Sequence, residues 1–213
     1  MPYAAKKIRK PPLSQISQSD EPVTFEKYYE IVDESVKAEL LDGRIIRDSP
    51  AIPRHGDVCL WIGALVRLFV ERFDLGKVNG GTTTVRLTQY QGPEPDVFFI
   101  HKSRLGIVGE KYITTAPDLC IEVISKSSRK RDRGRKFVLY ADHGVKEYWI
   151  IDPLSNAVDF YENKTGEWIG ILPDKDGRLH SKVLPGFWFD PRWLAPSETP
   201  PLLATLNEIL GIS

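Results

Sequence analysis

Two short stretches of the sequence are almost continuously apolar, and they limit the choice of fold more than any other feature. They read DLCIEVIS, over residues 118–125, and EYWIID, over residues 147–152. Strands without alternation of polar and apolar residues are typical of a sheet that helices cover on both faces. The sequence therefore predicts an α/β or α+β fold with one central mixed β-sheet flanked by helices.

Length and composition favour one folded domain. The chain has 213 residues, of which 41% are hydrophobic and 27% are charged, and this excludes disordered, collagen-like and coiled-coil chains. We expect a mobile tail over residues 1–20 and a single domain over residues 21–213. Lysine and arginine (29) balance aspartate and glutamate (29), so a polyanionic partner would need a local cluster of basic residues.

Cysteine usage and hydropathy favour a cytoplasmic protein. Cys59 and Cys120 each lie in an apolar run, so we expect free thiols rather than a disulfide. No paired Cys and His spacing indicates a zinc site. The longest apolar stretch, residues 58–70, is interrupted by Arg67 and is too short to cross a bilayer, so no membrane partner is expected.

Periodicity and turn residues predict most of the remaining elements. Thr24 is the expected N-cap of a short helix, Asp42-Gly43 the turn of a β-hairpin, and Gly144 the end of a helix over residues 131–142. Helical spacing of apolar residues predicts a long helix over residues 53–73 and a short helix over residues 202–210. Strands are predicted in TTTVRLTQ (82–89), DVFFIH (96–101), AVDFYE (157–162) and EWIGIL (167–172).

A carboxylate in one of the apolar runs is the first sign of chemistry. Glu122 stands in the middle of LCIEVI, where an unpaired charge would cost several kcal/mol or would have to hold a proton. Two explanations stay open at this point. Glu122 either pairs with a buried Arg or Lys, or it binds a divalent cation.

A second acid and a basic run favour a cation site that faces phosphate. Asp96 follows Pro95 at the entrance of a predicted strand, so two strands can present acids to one point. On the helix after Glu122, the side chains of Asp132, Lys136 and Tyr140 lie on one face. Its start is strongly basic, with Lys126, Arg129, Lys130, Arg131, Arg133, Arg135 and Lys136. This run suits a phosphate backbone, although a solvated helix start is the alternative.

Three segments together resemble a known family. PEPDVFFI, APDLCIEVIS and RDRGRKFVLYADHGVKEYWIIDP are similar, in order and spacing, to the core signature of the Uma2-type (DUF820) restriction endonuclease family, which is abundant in cyanobacteria. The resemblance is dense over residues 38–155 and also includes AELLDGRI and SPAIPRHGDV. It implies the restriction-endonuclease-like PD-(D/E)XK fold.

The resemblance also implies site residues. Asp96 matches the acid of the PD element, and Glu122 matches the acid of the (D/E)XK element. Ile124 stands where the plain signature has lysine, and Lys136 on the following helix matches the displaced position. Glu39 resembles the additional N-terminal acid. His55 and Arg86 are secondary candidates, for which a backbone-bonded helix start and a solvent-facing strand are the alternatives.

These assignments imply a metal-dependent endonuclease acting on nucleic acid, with DNA as the expected substrate. Asp96, Glu122 and Glu39 would hold Mg²⁺ or Mn²⁺. Lys136 would orient the attacking water or, with a lowered pKa, help to deprotonate it. The phosphate backbone would contact Arg129, Arg131, Arg133 and Arg135 without sequence readout.

Two rival functions and one question of assembly remain. A non-catalytic module could keep the fold and bind nucleic acid or a protein, and a glycosidase could use paired carboxylates without a metal. The resemblance makes a homodimer reasonable. The aromatic segment LPGFWFDPRWLAP is either a lid on the core, which we favour, or an interface.

Overall fold

The N-terminal part of the chain forms two helices and a hairpin. The computed structural model describes residues 21–33, 36–47, 52–195 and 199–212. Helix α1 (Phe25–Ile31) begins at the predicted cap, where Thr24 accepts a hydrogen bond from the N–H of Lys27. Strands β1 (Ala38–Leu41) and β2 (Arg44–Arg47) pair antiparallel around Asp42 and Gly43, both at positive φ. Helix α2 spans Pro53–Arg72. These three predictions are confirmed.

Six strands form the predicted mixed sheet. They are β3 (Gly76–Gly80), β4 (Val97–His101), β5 (Leu119–Val123), β6 (Glu147–Asp152), β7 (Ala157–Lys164) and β8 (Glu167–Ile171), in spatial order β3-β4-β5-β6-β7-β8. Only β5 and β6 run parallel, and the other neighbouring pairs are antiparallel. Between β5 and β6 the chain crosses one face of the sheet through α3 (Lys136–Asp142), as a parallel pair requires.

Helices cover the two faces of the sheet, which explains the continuous apolar runs. Leu119, Ile121 and Val123 of β5 face the core that α2 and the C-terminal segment complete. Cys120 and Ile124 belong to a second core with Tyr140 of α3. Because side chains of a strand alternate between faces, Glu122 also points toward the α3 side.

The C-terminal segment closes the α2 side of the core. It contains β9 (Leu179–His180), β10 (Trp188–Phe189) and α4 (Leu202–Leu210). The aromatic side chains of LPGFWFDPRWLAP are buried there: Phe187, Trp188, Phe189 and Trp193. The expected lid and terminal helix are therefore confirmed.

One strand prediction near β3 is wrong, and β3 itself was not predicted. Residues 82–89 form only isolated bridges, Val85 with Ile113 and Thr88 with Gln91, although their composition favours a strand. The edge strand is instead β3, whose sequence GKVNG has low strand propensity. Pairing with β4 along its whole length stabilises β3.

Other expectations fall partly outside the described residues. The tail over residues 1–20 lies outside them, and its separation from one domain over residues 21–213 stays a prediction.

Cys59 and Cys120 are both free. None of the helices in the described ranges has the length and apolar character that a bilayer span needs.

Candidate active site

Four elements bring acids and a lysine to one buried point. Glu122 comes from the middle of β5, and Lys136 and Tyr140 come from the helix that follows it. Glu39 comes from β1, the first strand of the hairpin. Asp96 stands directly before β4, beside the end of β5. These predicted site residues come together, although they lie far apart in the sequence.

Lys136 is the centre of this group. Its Nζ lies 2.5 Å from Glu39 Oε1 and 2.8 Å from Glu122 Oε1, and 3.9 Å from Asp132 Oδ1. Tyr140 donates its hydroxyl hydrogen to the same Glu122 oxygen at 2.8 Å. Glu39, Glu122 and Lys136 are each at most 2% exposed. The partner of the buried Glu122 is therefore a lysine on the next helix.

The charges of this group determine its protonation. Burial lowers the pKa of Lys136, but the negative charges of Glu122, Glu39 and Asp132 outweigh burial and raise that pKa well above its usual value. The expectation of a lowered lysine pKa is therefore wrong for the metal-free protein. Burial also raises the pKa of Glu122 well above its usual value. The charge of Lys136 lowers this pKa, whereas the charges of Asp132, Asp96 and Glu39 raise it further.

Asp96 has a separate set of partners at the edge of the group. Its Oδ1 accepts from Lys37 Nζ at 2.6 Å, and its Oδ2 accepts from the backbone N–H of Val123 at 2.9 Å. Burial raises the pKa of this carboxyl, but the charges of Lys37 and Lys136 and the two hydrogen bonds hold it below its usual value. Asp96 is therefore a carboxylate at neutral pH.

His55 extends the site on the α2 side. Its Nε2 lies 2.8 Å from the carbonyl oxygen of Val123 and 3.8 Å from Asp96 Oδ2. Cys59 Sγ is 3.6 Å from His55 Nδ1. The expectation that no Cys and His are suitably spaced is wrong, because these two lie four residues apart on one face of α2. The spacing itself was the signal that sequence reasoning missed.

The four arginines before α3 are paired with acids of the chain. The helical segment that leads into α3 begins at residue 129, and its residues Arg131–Arg135 have π-helical hydrogen bonding. Arg131 contacts Glu39 at 3.1 Å and is 13% exposed. The other pairs are Arg129 with Asp152, Arg133 with Asp159 and Arg135 with Asp42. Contact with phosphate would require these arginines to exchange partners, and that role stays a prediction.

Arg86 lies elsewhere, whereas an acid not selected from the sequence lies at the site. Arg86 pairs with Glu26 and packs over Phe25, and its observed contacts do not include the Lys136 group. Glu94, in contrast, is 3% exposed, and its backbone N–H donates to Glu39 Oε1 at 2.8 Å. The sequence signal for Glu94 was its position two residues before Asp96.

The donor set fits a hard divalent cation. Four acids, Glu39, Asp96, Glu122 and Asp132, face three cations, Lys37, Arg131 and Lys136, which leaves an excess of negative charge in a buried place. Carboxylate oxygens are the ligands that Mg²⁺ and Mn²⁺ prefer. Asp96 and Glu122 keep acceptor capacity beyond the hydrogen bonds described, since an ionised carboxylate has about four lone-pair sites.

The six-stranded mixed sheet with its flanking helices is the fold of a nuclease-fold protein. A crystal structure described as a putative nuclease belonging to DUF820, from Anabaena variabilis, matches with a TM-score of 0.68 at 17% identity, over 81% of this chain and 97% of that chain. The chain belongs to the Uma2 family, whose model, described as "Putative restriction endonuclease", matches residues 24–194.

A cyanobacterial relative shows the same similarity without adding a function. The uncharacterized protein slr1290 of Synechocystis is 28% identical over 155 residues, which are 70% of this chain and 78% of the relative. Family and fold together support a nuclease in general, and the resemblance seen in the sequence is confirmed.

Proposed function

We propose that this chain is a divalent-metal-dependent endonuclease that hydrolyses phosphodiester bonds of nucleic acid, with DNA as its substrate and Mg²⁺ or Mn²⁺ as its cofactor. The observation that carries the proposal is the buried contact of Lys136 with Glu122 and Glu39 beside Asp96. Such a group is costly to bury, because taking its charges out of water costs several kcal/mol per ion. Its position at the ends of two neighbouring strands favours a catalytic role.

In this proposal Asp96, Glu122 and Glu39 hold the ion. When bound, the ion stabilises charge on the phosphate and lowers the pKa of a water molecule. The lowered pKa of Asp96 favours its carboxylate form, and a bound cation would offset the effect of burial that raises the pKa of Glu122. Glu39 must share its oxygens between the ion and its present partners, Lys136 and Arg131.

Lys136 is the proposed positioning group for the attacking water. Its raised pKa keeps the ammonium protonated, so it donates hydrogen bonds and neutralises phosphate charge rather than acting as a base. Tyr140 and Lys136 both donate to the same oxygen of Glu122, so the tyrosine holds the carboxylate that directs the ammonium. Arg129, Arg133 and Arg135 are the proposed phosphate contacts, and Arg131 supports Glu39 from inside.

The deciding experiment is cleavage of supercoiled plasmid, single-stranded DNA and single-stranded RNA with Mg²⁺ or Mn²⁺, against EDTA. We expect cleavage to need the ion, and Glu122→Gln and Asp96→Asn to lower the rate by at least about 100-fold, the size of a lost catalytic group. Glu122→Gln keeps an oxygen for Lys136 and Tyr140, and Lys136 keeps its pair with Glu39, so we expect this variant to fold.

Matched controls separate catalysis from stability. Glu147→Gln changes an equally buried acid of β6 whose partners are Trp149 and the backbone of residues 182–183, and folded protein of this variant should cut at the wild-type rate. Each variant is checked by thermal melting. If folded wild-type protein cuts none of the three substrates, or if EDTA has no effect, the proposal fails and a non-catalytic binding module takes its place.

The homodimer implied by the family resemblance is part of the proposal, since two copies would bring two sites to one duplex. Sedimentation equilibrium of the full chain measures it directly. A monomer at micromolar concentration would contradict the dimer without affecting the assignment of Asp96, Glu122 and Lys136.

A further inference from the structure

A second kind of ligand set lies against the acid cluster. Among the residues that the structure describes, His55, Cys59 and Asp96 each offer one possible ligand atom, and these atoms lie within 4.8 Å of one another. The side chains of His55 and Asp96 are 12% and 7% exposed, and Cys59 is half-buried. The group therefore lies beside the proposed magnesium-type site and shares Asp96 with it.

The three atoms are slightly farther apart than the ligands of a bound ion. His55 Nε2 is 3.8 Å from Cys59 Sγ and 3.8 Å from Asp96 Oδ2. Around tetrahedral zinc, neighbouring sulfur and nitrogen ligands are about 3.5 Å apart, since Zn–S is about 2.3 Å and Zn–N about 2.0 Å. Because Cys59 Sγ is also 3.6 Å from His55 Nδ1, it does not lie along the Nε2 lone pair, and coordination requires the His55 or Cys59 side chain to rotate.

Asp96 can serve such an ion without losing all its present partners. Lys37 contacts Oδ1, whereas the atom nearest His55 is Oδ2, which accepts only the N–H of Val123 among the contacts described. Coordination through Nε2 requires the ring proton to lie on Nδ1 and ends the contact of Nε2 with the Val123 carbonyl oxygen. The cost of this site is one hydrogen bond.

The thiol decides which ion the group selects. Thiolate and imidazole ligands favour zinc-class ions, whereas Mg²⁺ prefers oxygen ligands alone. Cysteine binds a metal as the thiolate, so binding would form a metal–sulfur bond and release the thiol proton to solvent.

We propose that His55, Cys59 and Asp96 form a site for a zinc-class divalent ion, distinct in its ligands from the oxygen site of the proposed nuclease and competing with it for Asp96. The competition rests on the proposed function, whereas the binding of the ion does not. A zinc-class ion here would occupy an acid that the nuclease needs, and so would block cleavage.

Cobalt provides the test, because Co²⁺ substitutes for zinc and reports a thiolate ligand by a charge-transfer band in the near ultraviolet. The full chain is titrated with CoCl₂ under reducing, oxygen-free conditions. We expect a saturable band at one ion per chain. Cys59→Ala should abolish the band, and His55→Gln should raise the Kd by at least about 10-fold, the loss that even an outer-shell change can cause.

The second cysteine is the matched control, since the chain has only two. Cys120 faces the other side of the sheet among apolar side chains, so Cys120→Ala should keep the band. Excess MgCl₂ should raise the apparent Kd for Co²⁺, because both ions need Asp96.

The outcomes separate the two proposals. No band, or a band that survives Cys59→Ala, overturns the zinc-class site even if the chain proves to be a metal-dependent nuclease. A band that needs Cys59 in a chain that cuts nothing supports the zinc-class site and leaves the nuclease proposal refuted. A band that MgCl₂ does not weaken overturns the sharing of Asp96.

Discussion

Glu94 shows how one buried acid can link the site to the pH dependence of stability. Its Oε1 accepts hydrogen bonds from Thr84 at 3.0 Å and from Tyr28 at 3.2 Å. Burial, opposed in part by these bonds, raises the pKa of Glu94 to about 7. Between the ordinary carboxyl pKa and pH 7, the folded protein therefore binds a proton that the unfolded chain has released.

We predict that Glu94→Gln removes this dependence. The folded state loses stability relative to the unfolded chain as pH rises toward 7, so from pH 5 to pH 8 the wild type should lose about 2–3 kcal/mol more than the variant. Urea unfolding across this range measures the difference. Glu30→Gln, in an exposed pair with Lys27, is the control and should follow the wild-type curve. Parallel curves for wild type and Glu94→Gln would contradict the prediction.

Residue by residue, the sequence predicted the unusual groups better than their partners. The apolar neighbours of Glu122 required its burial, but periodicity alone left a basic partner and a cation as equal choices. The family resemblance pointed to Lys136, which the structure places 2.8 Å away. Glu94 was missed because its burial depends on Tyr28 and Thr84, and neither contact can be read from the local sequence.

At the scale of elements, local signals were reliable only where local interactions decide the structure. The caps, the hairpin turn and the long helix were predicted because each depends on neighbours in sequence. The edge strand β3 was not, since its stability comes from pairing with β4 some twenty residues later. The same reason explains residues 82–89, whose composition favours a strand but which find no continuous partner.

The hairpin turn gives a prediction for an element that carries a site residue. Gly43 has φ +68°, and a Cβ there would lie 2.4 Å from the Cβ of Pro22, while Gly81 has φ +73° with open space around it. We expect Gly81→Ala to destabilise by about 1–2 kcal/mol through backbone strain alone. Gly43→Ala adds a clash and should cost about 2–5 kcal/mol.

Chemical denaturation measures both glycine variants. Because β1 carries Glu39, Gly43→Ala should also slow any cleavage in protein that remains folded. Equal losses of stability in the two variants would show that the contact with Pro22 is unimportant.

At the scale of the whole molecule, the balance of charge limits how nucleic acid can be held. The formal net charge is +0, and the arginines before α3 are already paired with Asp42, Asp152 and Asp159. Binding to phosphate would exchange one ion pair for another, so affinity should be modest and strongly dependent on salt.

We predict the size of this salt dependence. In EDTA, which prevents cleavage, the Kd for a DNA duplex is measured by fluorescence anisotropy at several salt concentrations. Arg133→Gln should lower the slope of log Kd against log salt by about 0.9, the value of one phosphate contact. Arg67→Gln, in an exposed pair with Glu71 on α2, should leave the slope unchanged. Identical slopes for wild type and Arg133→Gln would remove this arginine from the interface.

During folding, the site can form only when Glu39 and Lys136 are both available to make their contact. Glu39 and Lys136 are about 100 residues apart in the sequence, so Glu39 leaves the ribosome long before Lys136 is synthesised. Until the hairpin docks, Lys136 has one carboxylate partner fewer, and Arg131 lacks Glu39 as well. A nascent chain that has not yet reached Lys136 therefore carries Glu39 without this partner, and the proposed site is complete only after the hairpin has met the helix that follows β5.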